Sequence, residues 1–179
     1  ALPIYTDTGL VARNMGIAPR LAALLYFCFD PHAKFLDYAG GYGLLTRAMR
    51  DAGFDFYWQD AYCENLFARG FEWKPSGETP PCAAVTAFEV LEHVTDPLAF
   101  LRQAMECARS RTIIFSTVLY DGEPPAPDQW WYYSLDTGQH ISFFKRETLE
   151  ALARKLGLEL YSTGWIHMLT AEKIGRAHV

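Results

Sequence analysis

The chain has 179 residues and a mass of 20.3 kDa, which suits a single domain with one hydrophobic core. Half of the residues are hydrophobic and 21% are charged, so the composition excludes a disordered or fibrous chain. The formal net charge of -5 leaves no overall positive field to attract phosphate backbones or anionic lipid. We therefore expect neither nucleic acid nor a membrane as a partner.

Cysteine usage and hydropathy indicate a cytoplasmic protein. The four cysteines are scattered without the close paired spacing of a zinc or redox motif, so we expect reduced thiols. No apolar run reaches the roughly 18 residues that a membrane span requires, and the first residues lack the pattern of a secretory signal. The sequence predicts no particular oligomeric state.

Short apolar runs alternate with amphipathic stretches along the chain, a pattern typical of βαβ units. It predicts one α/β domain over residues 1–179, with a mostly parallel seven-stranded sheet, helices on both faces and an antiparallel last strand. Its parts are an N-terminal helical cover at 1–30, a core at 34–170 and a long loop at 120–140. The predicted strands cover 34–39, 54–59, the neighbourhood of Phe71, 82–88, 111–118, 158–162 and 165–169. The predicted helices cover 19–29, 44–52, 62–68, 97–108 (after an Asp96 N-cap) and 146–156.

The segment FLDYAGGYG, Phe35 to Gly43, combines a buried strand, an acidic residue and three glycines before a helix. Glycine lets a ligand approach the backbone because it has no Cβ to fill the ligand's space. In open α/β sheets such a turn lies at the crevice where ligands bind. The segment therefore predicts a ligand site, although a plain strand-to-helix connection would use the same glycines.

Asp60 stands at the end of the second predicted strand. A carboxylate at this place can accept hydrogen bonds from both hydroxyls of a ribose. The alternative is that Asp60 caps the helix predicted to follow it. Together with the glycine turn, Asp60 predicts a nucleoside ligand.

Three motifs resemble those of class I S-adenosylmethionine-dependent methyltransferases. Asp37 to Gly43 resembles their first motif, and Asp60 matches their second-strand acidic residue. The segment AFEVLEHV, Ala87 to Val94, is similar to the sequence after the fourth strand in small-molecule and ubiquinone-type O-methyltransferases. Gly138 to Leu160 is similar to the C-terminal part of that branch.

The resemblance implies a Rossmann-like fold whose core binds S-adenosylmethionine and moves its methyl group to a small-molecule acceptor. That acceptor would be a sugar or another metabolite, methylated on oxygen or nitrogen. In the family pattern the glycine turn holds the amino-acid part of the cofactor, the second-strand acid holds the ribose, and the residues after the fourth strand lie near the sulfonium. The implied cofactor-binding residues are Asp37, Ala39, Gly40, Gly41, Gly43, Asp60, Glu89 and Val90.

Ala39 departs from the family pattern, because a glycine is usual at its position. Its methyl group has to fit near the methionine end of the cofactor. The departure is tolerable if the φ of Ala39 is negative.

A hydroxyl acceptor has to lose a proton, and a histidine with a pKa near neutrality is the first candidate for the base. His140 follows the long loop, and His93 lies just after the fourth strand. We predict that one of these two histidines is catalytic. The alternatives are a His140 bonded to a backbone carbonyl at a strand end, and a His93 with a structural role.

The spacing of Glu89, Glu92 and His93 would bring three potential metal ligands onto one helical turn, with His140 able to complete the set. Some ubiquinone-type and small-RNA methyltransferases resemble this arrangement. In the alternative, Glu92 and His93 cap and brace the turn, as they do in many metal-independent relatives. The sequence therefore predicts no metal.

The long loop at 120–140 is expected to cover the acceptor side of the site. Its aromatic residues Trp130, Trp131, Tyr132 and Tyr133 are predicted to form a stacking wall for the acceptor. The alternative is that these rings simply pack the loop onto the sheet.

Two other functions fit parts of the pattern. A nicotinamide-dependent oxidoreductase would need a third glycine where this chain has Thr46 after Gly41 and Gly43. A methyltransferase-like module that binds a nucleoside without turnover would be consistent with Ala39. Because the acidic residues and the other glycines are present, the sequence favours a methyltransferase.

Overall fold

The structure is a computed structural model that describes residues 8–174. Within these residues the chain divides into two compact units, one at 8–83 with Ile174 and the other at Ala84–Lys173. The helical cover predicted at 1–30 therefore begins outside the described residues.

The first unit contains two helices and two strands in alternating order. They are α1 (Thr8–Cys28), β1 (Lys34–Tyr38), α2 (Leu44–Asp51) and β2 (Asp55–Gln59). The two strands are parallel neighbours, with Phe35 opposite Phe56. The rings of these two residues are fully buried and stack with their centroids 5.6 Å apart. This is the βαβ order that the sequence predicts.

α1 is longer than predicted, because it runs through Pro19 rather than starting there. Proline removes a helical hydrogen bond and is best tolerated in the first turn, which is why the sequence predicts a start at this residue. Ile17, Leu21 and Leu25 recur every four residues and are buried on both sides of the proline. Burial of this stripe stabilises the helix across the proline.

Residues 62–68 do not form the predicted short helix; the chain there makes bends, and a turn follows at 69–70. The side chain of Asn65 donates to the carbonyl of Ala68 at 2.8 Å and accepts from the N–H of Ala68 at 2.8 Å. Side-chain amides that bond nearby backbone groups compete with helical hydrogen bonds. The prediction is wrong here because a local side-chain bond replaces the helical bonds.

The second unit contains four strands and two helices. They are β3 (Ala84–Ala87), α3 (Pro97–Ala108), β4 (Thr112–Ser116), α4 (Arg146–Leu156), β5 (Glu159–Ser162) and β6 (Ile166–Thr170). Their order in the sheet is β3-β4-β6-β5. β3 and β4 are parallel, whereas β6 is antiparallel to both β4 and β5. The predicted antiparallel last strand is confirmed.

The ends of the helices in this unit follow from their local sequence. Asp96 caps α3 by accepting a hydrogen bond from the N–H of Ala99 at 3.0 Å. Gly157 ends α4 in the left-handed conformation, with φ of 66°. The predicted bounds of α4 are confirmed.

The fold class predicted from the sequence is confirmed as mixed α/β and Rossmann-like, with mostly parallel strands. Residues 8–174 form six strands, one fewer than predicted. The stretch near Phe71 makes only an isolated bridge, between Trp58 and Glu72. Among these residues, no helix has the length and apolar character needed to cross a bilayer.

Candidate active site

The turn between β1 and α2 is built on the carboxylate of Asp37, which is 2% exposed. Its Oδ2 accepts a hydrogen bond from the hydroxyl of Thr46 at 3.1 Å. A Cβ on Gly40 would lie 2.7 Å from the same oxygen and 2.9 Å from the ring of Trp58. Packing therefore requires glycine at position 40, and Asp37 supports the turn from the interior of the unit.

Gly41 and Gly43 both have left-handed backbone, with φ of 55° and 86°. A Cβ on Gly43 would lie 2.8 Å from Oδ1 of Asn65, so both conformation and space exclude a side chain. A Cβ on Gly41 would meet no atom of the described residues within 4 Å. The turn is therefore open at Gly41, where a ligand can approach the backbone.

Ala39 does not meet the condition of a negative φ, because its φ is 58°. This left-handed conformation costs a residue with a Cβ about 1–2 kcal/mol. The surrounding turn imposes it: the N–H of Gly40 donates to the carbonyl of Gln59 at 3.1 Å, and the N–H of Gly43 donates to the carbonyl of Gly40 at 3.0 Å. The strain at Ala39 is thus a product of the turn's hydrogen bonds.

Asp60 joins the glycine turn to the chain that follows β2. Its Oδ2 accepts a hydrogen bond from the N–H of Gly41 at 2.9 Å. Its Oδ1 accepts from the N–H groups of Tyr62 at 2.7 Å and Cys63 at 2.9 Å. Asp60 therefore contacts the turn and also caps the next segment, although that segment is not a helix.

Trp58 and Asn65 also build this turn, and the sequence did not single them out. The indole N–H of Trp58 donates to the carbonyl of Gly41 at 2.9 Å. Trp58 lies opposite Asp37 in the register of β1 and β2. A correct prediction of how these two strands pair would therefore have identified Trp58. The role of Asn65 depends on the bends of the loop and leaves no sequence signal.

In the second unit, Glu89 follows β3 with a left-handed φ of 56°. Glu92 lies in a short 3-10 helix at Leu91–His93, which Val90 precedes, so Glu89 and Glu92 do not share a helical turn. The hydroxyl of Ser116 donates to Oε1 of Glu89 at 2.7 Å, and the N–H of Glu89 donates to the same hydroxyl at 2.8 Å. Glu89 is therefore paired with β4 rather than with the other potential metal ligands.

Glu92 is fully buried, and neither carboxylate oxygen has a hydrogen-bond partner within residues 8–174. Burial raises the pKa of Glu92 and the charge of Glu89 raises it further. Nearby N–H and O–H groups, the Tyr132 hydroxyl among them, lower it without reaching the geometry of a hydrogen bond. That hydroxyl is itself 3.3 Å from the hydroxyl of Thr117. Burial, together with the Glu92 charge, raises the pKa of Tyr132 above its usual range. A buried polar group without a partner is costly, and in native proteins it often marks a function.

His93 and His140 each direct Nδ1 at a backbone carbonyl. The Nδ1 of His140 lies 2.6 Å from the carbonyl oxygen of Tyr132, and the Nδ1 of His93 lies 2.9 Å from that of Gln139. A carbonyl oxygen only accepts, so we assign the proton of each neutral ring to Nδ1 and the lone pair to Nε2. His140 is thus bonded to a backbone carbonyl through Nδ1, and its Nε2 carries the lone pair. The two rings meet edge to face at 4.8 Å.

The aromatic residues of the long loop pack mainly against one another. Tyr132 is 2% exposed, and the ring of Trp130 lies 4.9 Å from that of Tyr133 and 5.6 Å from that of Phe143. Trp131, at 77% exposed, presents its ring to solvent. Packing of the loop accounts for three of the four rings, and the stacking wall stays a prediction.

A glycine-rich turn between a parallel strand and a helix, joined to an acid after the next strand, defines a class of α/β proteins that bind nucleosides. A family model described as "Methyltransferase domain" matches residues 12–163. The chain belongs to this family, whose cofactor is S-adenosylmethionine. A comparison with curated protein sequences gives no match.

Solved structures with the same fold include several methyltransferases. Magnesium protoporphyrin IX methyltransferase (ChlM) from Synechocystis PCC 6803, with bound SAH, has a TM-score of 0.61 and 15% identity, over 94% of this chain and 87% of that one. An O-methyltransferase family 2 protein from Planctomyces limnophilus, in complex with apigenin, has a TM-score of 0.62 and 17% identity, over 93% and 60%. TnmH has a TM-score of 0.55 and 20% identity, over 95% of this chain and 62% of its own length. This chain therefore spans less than two thirds of the last two, and the identities support the fold alone.

Proposed function

We propose that this protein binds S-adenosylmethionine at the glycine turn of the first unit and transfers its methyl group to a small-molecule acceptor. The observation that carries the proposal is the 2.9 Å hydrogen bond from the N–H of Gly41 to Oδ2 of Asp60. This bond joins the open part of the turn to the acid expected to hold a ribose. The proposed acceptor is a sugar or another metabolite with a hydroxyl or amino group.

The residues of the turn fit the amino-acid and ribose parts of this cofactor. Gly41 leaves its side of the turn open. α2 begins at Leu44, and among the described residues no side chain caps it, so its first N–H groups suit a carboxylate. Asp60 accepts three backbone hydrogen bonds, and a carboxylate has about four acceptor positions, so it retains capacity for a hydroxyl.

Glu89 and Val90 of the second unit are proposed to lie near the sulfonium, as the family pattern implies. The double hydrogen bond between Glu89 and Ser116 holds this segment in one conformation. A fixed backbone suits a wall that has to orient a ligand.

When bound, S-adenosylmethionine supplies a methyl group that its positively charged sulfur has already activated. The chain's main task is then to hold the accepting atom close to that methyl group and in line with it. An acceptor hydroxyl also has to lose a proton, and the proposed residues for this step are His140 and His93. Each has a lone pair on Nε2 in the tautomer that its backbone bond selects. Trp131 is the ring of the long loop best placed to meet an acceptor, because it is exposed.

Calorimetric titration of the folded chain tests the cofactor. We expect S-adenosylhomocysteine and S-adenosylmethionine to bind and NAD to give no heat. Binding of NAD alone would favour an oxidoreductase, and heat from none of the three would contradict the proposal. Release of S-adenosylhomocysteine over a panel of hydroxylated and amino acceptors then separates an enzyme from a module without turnover.

Exchange of single acids for amides tests the site itself. Asp60→Asn removes the charge that strengthens the bond to a ribose hydroxyl, and such bonds contribute about 1.5–3 kcal/mol. We expect the affinity for S-adenosylhomocysteine to fall roughly tenfold to a hundredfold. Asp51→Asn is the matched control, because Asp51 is an exposed partner of Arg47 on α2. Equal affinity of the two variants would exclude Asp60 from the site.

A further inference from the structure

We propose that a positively charged groove on the second unit binds the phosphate group of a small molecule. The groove has a volume of about 570 Å³ and lies between the C-terminal ends of α3 and α4, at the start of β4. One carboxylate lines it, that of Glu106, together with four cationic side chains. These are Arg102, Arg109, Arg111 and Lys155. We call this depression the basic groove.

The cations of the basic groove are not used up by ion pairs. Within residues 8–174, Arg102, Arg111 and Lys155 form no ion pair with a carboxylate. The whole chain has a formal net charge of -5, so its composition does not explain a surplus of cations at one place. Cations that share a groove repel one another, and a bound anion turns this repulsion into attraction.

The charges of the two helix ends do not balance the groove. Basic residues are common where a helix ends, because its last carbonyls carry a partial charge of about -0.5. The ends of α3 and α4, together with the carboxylate of Glu106, therefore supply about -2. Against the four cationic side chains this leaves a charge of about +2. A phosphate monoester carries about -1.5 to -2 at neutral pH, which matches this remainder.

Arg109 reaches the groove from a backbone position that favours glycine. It ends α3 in the left-handed conformation, with φ of 51°. The corresponding position at the end of α4 holds Gly157, with φ of 66°. A side chain is costly in this conformation, and a strained residue often marks a function. We attribute the arginine at position 109 to the charge that it brings to the groove.

Arg111 is held in place before an anion binds. Its Nη2 donates a hydrogen bond to the carbonyl of Gly157 at 3.2 Å, so its side chain joins the start of β4 to the end of α4. A guanidinium has further N–H donors, and its fork matches a pair of phosphate oxygens. Met105 and Leu156 also line the groove and suit the carbon part of a phosphorylated small molecule.

The basic groove lies apart from the residues proposed for methyl transfer in this unit. It is at the start of β4, whereas Ser116, the partner of Glu89, is at the end of that strand. Its ligand is therefore not the methyl acceptor. Phosphate binding is measured without cofactor or acceptor, so its failure and the failure of methyl transfer are distinguishable.

Calorimetric titration of the full chain with inorganic phosphate, at low salt and neutral pH, tests the groove. We expect one phosphate per chain, an affinity that falls as salt is added, and acetate binding at least about tenfold weaker because it has a single charge. Glycerol 3-phosphate should bind at least as tightly as phosphate. An adventitious ion only, seen as phosphate binding no tighter than acetate, would overturn the proposal. Binding of a phosphoserine peptide where both small phosphates fail would also overturn it and assign the groove to a protein partner.

Substitutions assign phosphate binding to these residues. The double variant Arg102→Gln with Lys155→Gln should weaken it at least about tenfold. Arg154→Gln is the matched control, because Arg154 is exposed in the same last turn of α4 but does not line the groove. Full affinity in the double variant, or an equal loss in the control, would refute the proposal.

Arg109→Gly separates loss of a phosphate contact from loss of the fold. Glycine relieves the left-handed strain, so the melting temperature of this variant should not fall. Its phosphate affinity should fall at least about threefold because one cation is lost. Unchanged affinity in this variant would contradict the role given to Arg109.

Discussion

Asp60, beside the glycine turn of the first unit, and Glu92, on the 3-10 turn of the second, are both acids in the segment that follows a strand, but their surroundings are opposite. Asp60 accepts three backbone hydrogen bonds. The buried oxygens of Glu92 have no hydrogen-bond partner among the described residues. A carboxylate whose hydrogen bonds are made within the protein stabilises the loop that carries it. A buried carboxylate without such bonds is costly, and it is tolerated where a ligand supplies the missing interaction.

The largest expected effect tests how tightly the first unit is packed around its turn. Gly43→Ala combines left-handed strain with a Cβ 2.8 Å from Asn65, so we expect the free energy of unfolding to fall by about 3 kcal/mol. Gly70→Ala is the matched control: Gly70 has a similar φ of 88°, but a Cβ there would meet no atom of the described residues within 4 Å. This variant should lose only the free energy of the left-handed strain, about 1–2 kcal/mol. Urea unfolding measures both, and equal losses would mean that contact with Asn65 is unimportant.

Replacing an acid by its amide in each region should give changes of opposite sign. Asp37→Asn removes a charged acceptor from the hydroxyl of Thr46, so stability should fall by about 1–2 kcal/mol. Glu92→Gln removes a buried carboxyl group whose ionisation is disfavoured by burial, so stability at neutral pH should rise by about 1 kcal/mol. Both are read from chemical unfolding at neutral pH. A loss of stability in both variants would contradict the contrast between the two regions.

A smaller effect is expected where the turn itself is strained. Ala39→Gly removes the strain of a left-handed alanine but gives the unfolded chain more conformational entropy. The relief of strain is the larger contribution, so we expect the free energy of unfolding to rise by about 0.5 kcal/mol. Ala52→Gly is the control, because Ala52 has an ordinary φ of -79° and should lose stability instead. Thermal unfolding of the two variants should therefore move in opposite directions. A lower melting temperature for Ala39→Gly would mean that the methyl group makes a packing contact.

The smallest expected effect concerns a satisfied buried group in the second unit. The Nε2 of His167 donates to the carbonyl of Thr117 at 3.0 Å, and its Nδ1 accepts from the hydroxyl of Ser162 at 2.9 Å. Burial lowers the pKa of His167, and the charge of Arg146 lowers it further. In the folded state His167 therefore binds a proton less readily than in the unfolded state, where its pKa has the ordinary value of about 6.5.

It follows that His167 contributes stability at neutral pH that is lost as the pH falls below about 6.5. His167→Gln should flatten the fall in unfolding free energy between about pH 7.5 and 5.5 relative to the unsubstituted chain. His32→Gln, at an exposed histidine, should leave the slope unchanged. An unchanged slope for the His167 variant would show that other groups dominate this range.

Local signals predicted the elements that local chemistry controls. The cap at Asp96 and the stop at Gly157 were confirmed, because each depends on one residue and its neighbours. The helix at 62–68 was wrong because Asn65 bonds the backbone of Ala68. The start of α1 was wrong because burial of residues on both sides of Pro19 outweighs the proline.

By itself, the sequence determined the alternating α/β order, the glycine turn with its acid, and the family to which they point, because spacing along the chain encodes these features. Only the tertiary structure decided which groups meet. Glu89 pairs with Ser116, and Glu92 joins His140, which lies far along the chain. Ala39 takes a left-handed backbone because neighbouring hydrogen bonds impose it. Such contacts join distant residues through packing, and no local pattern records them.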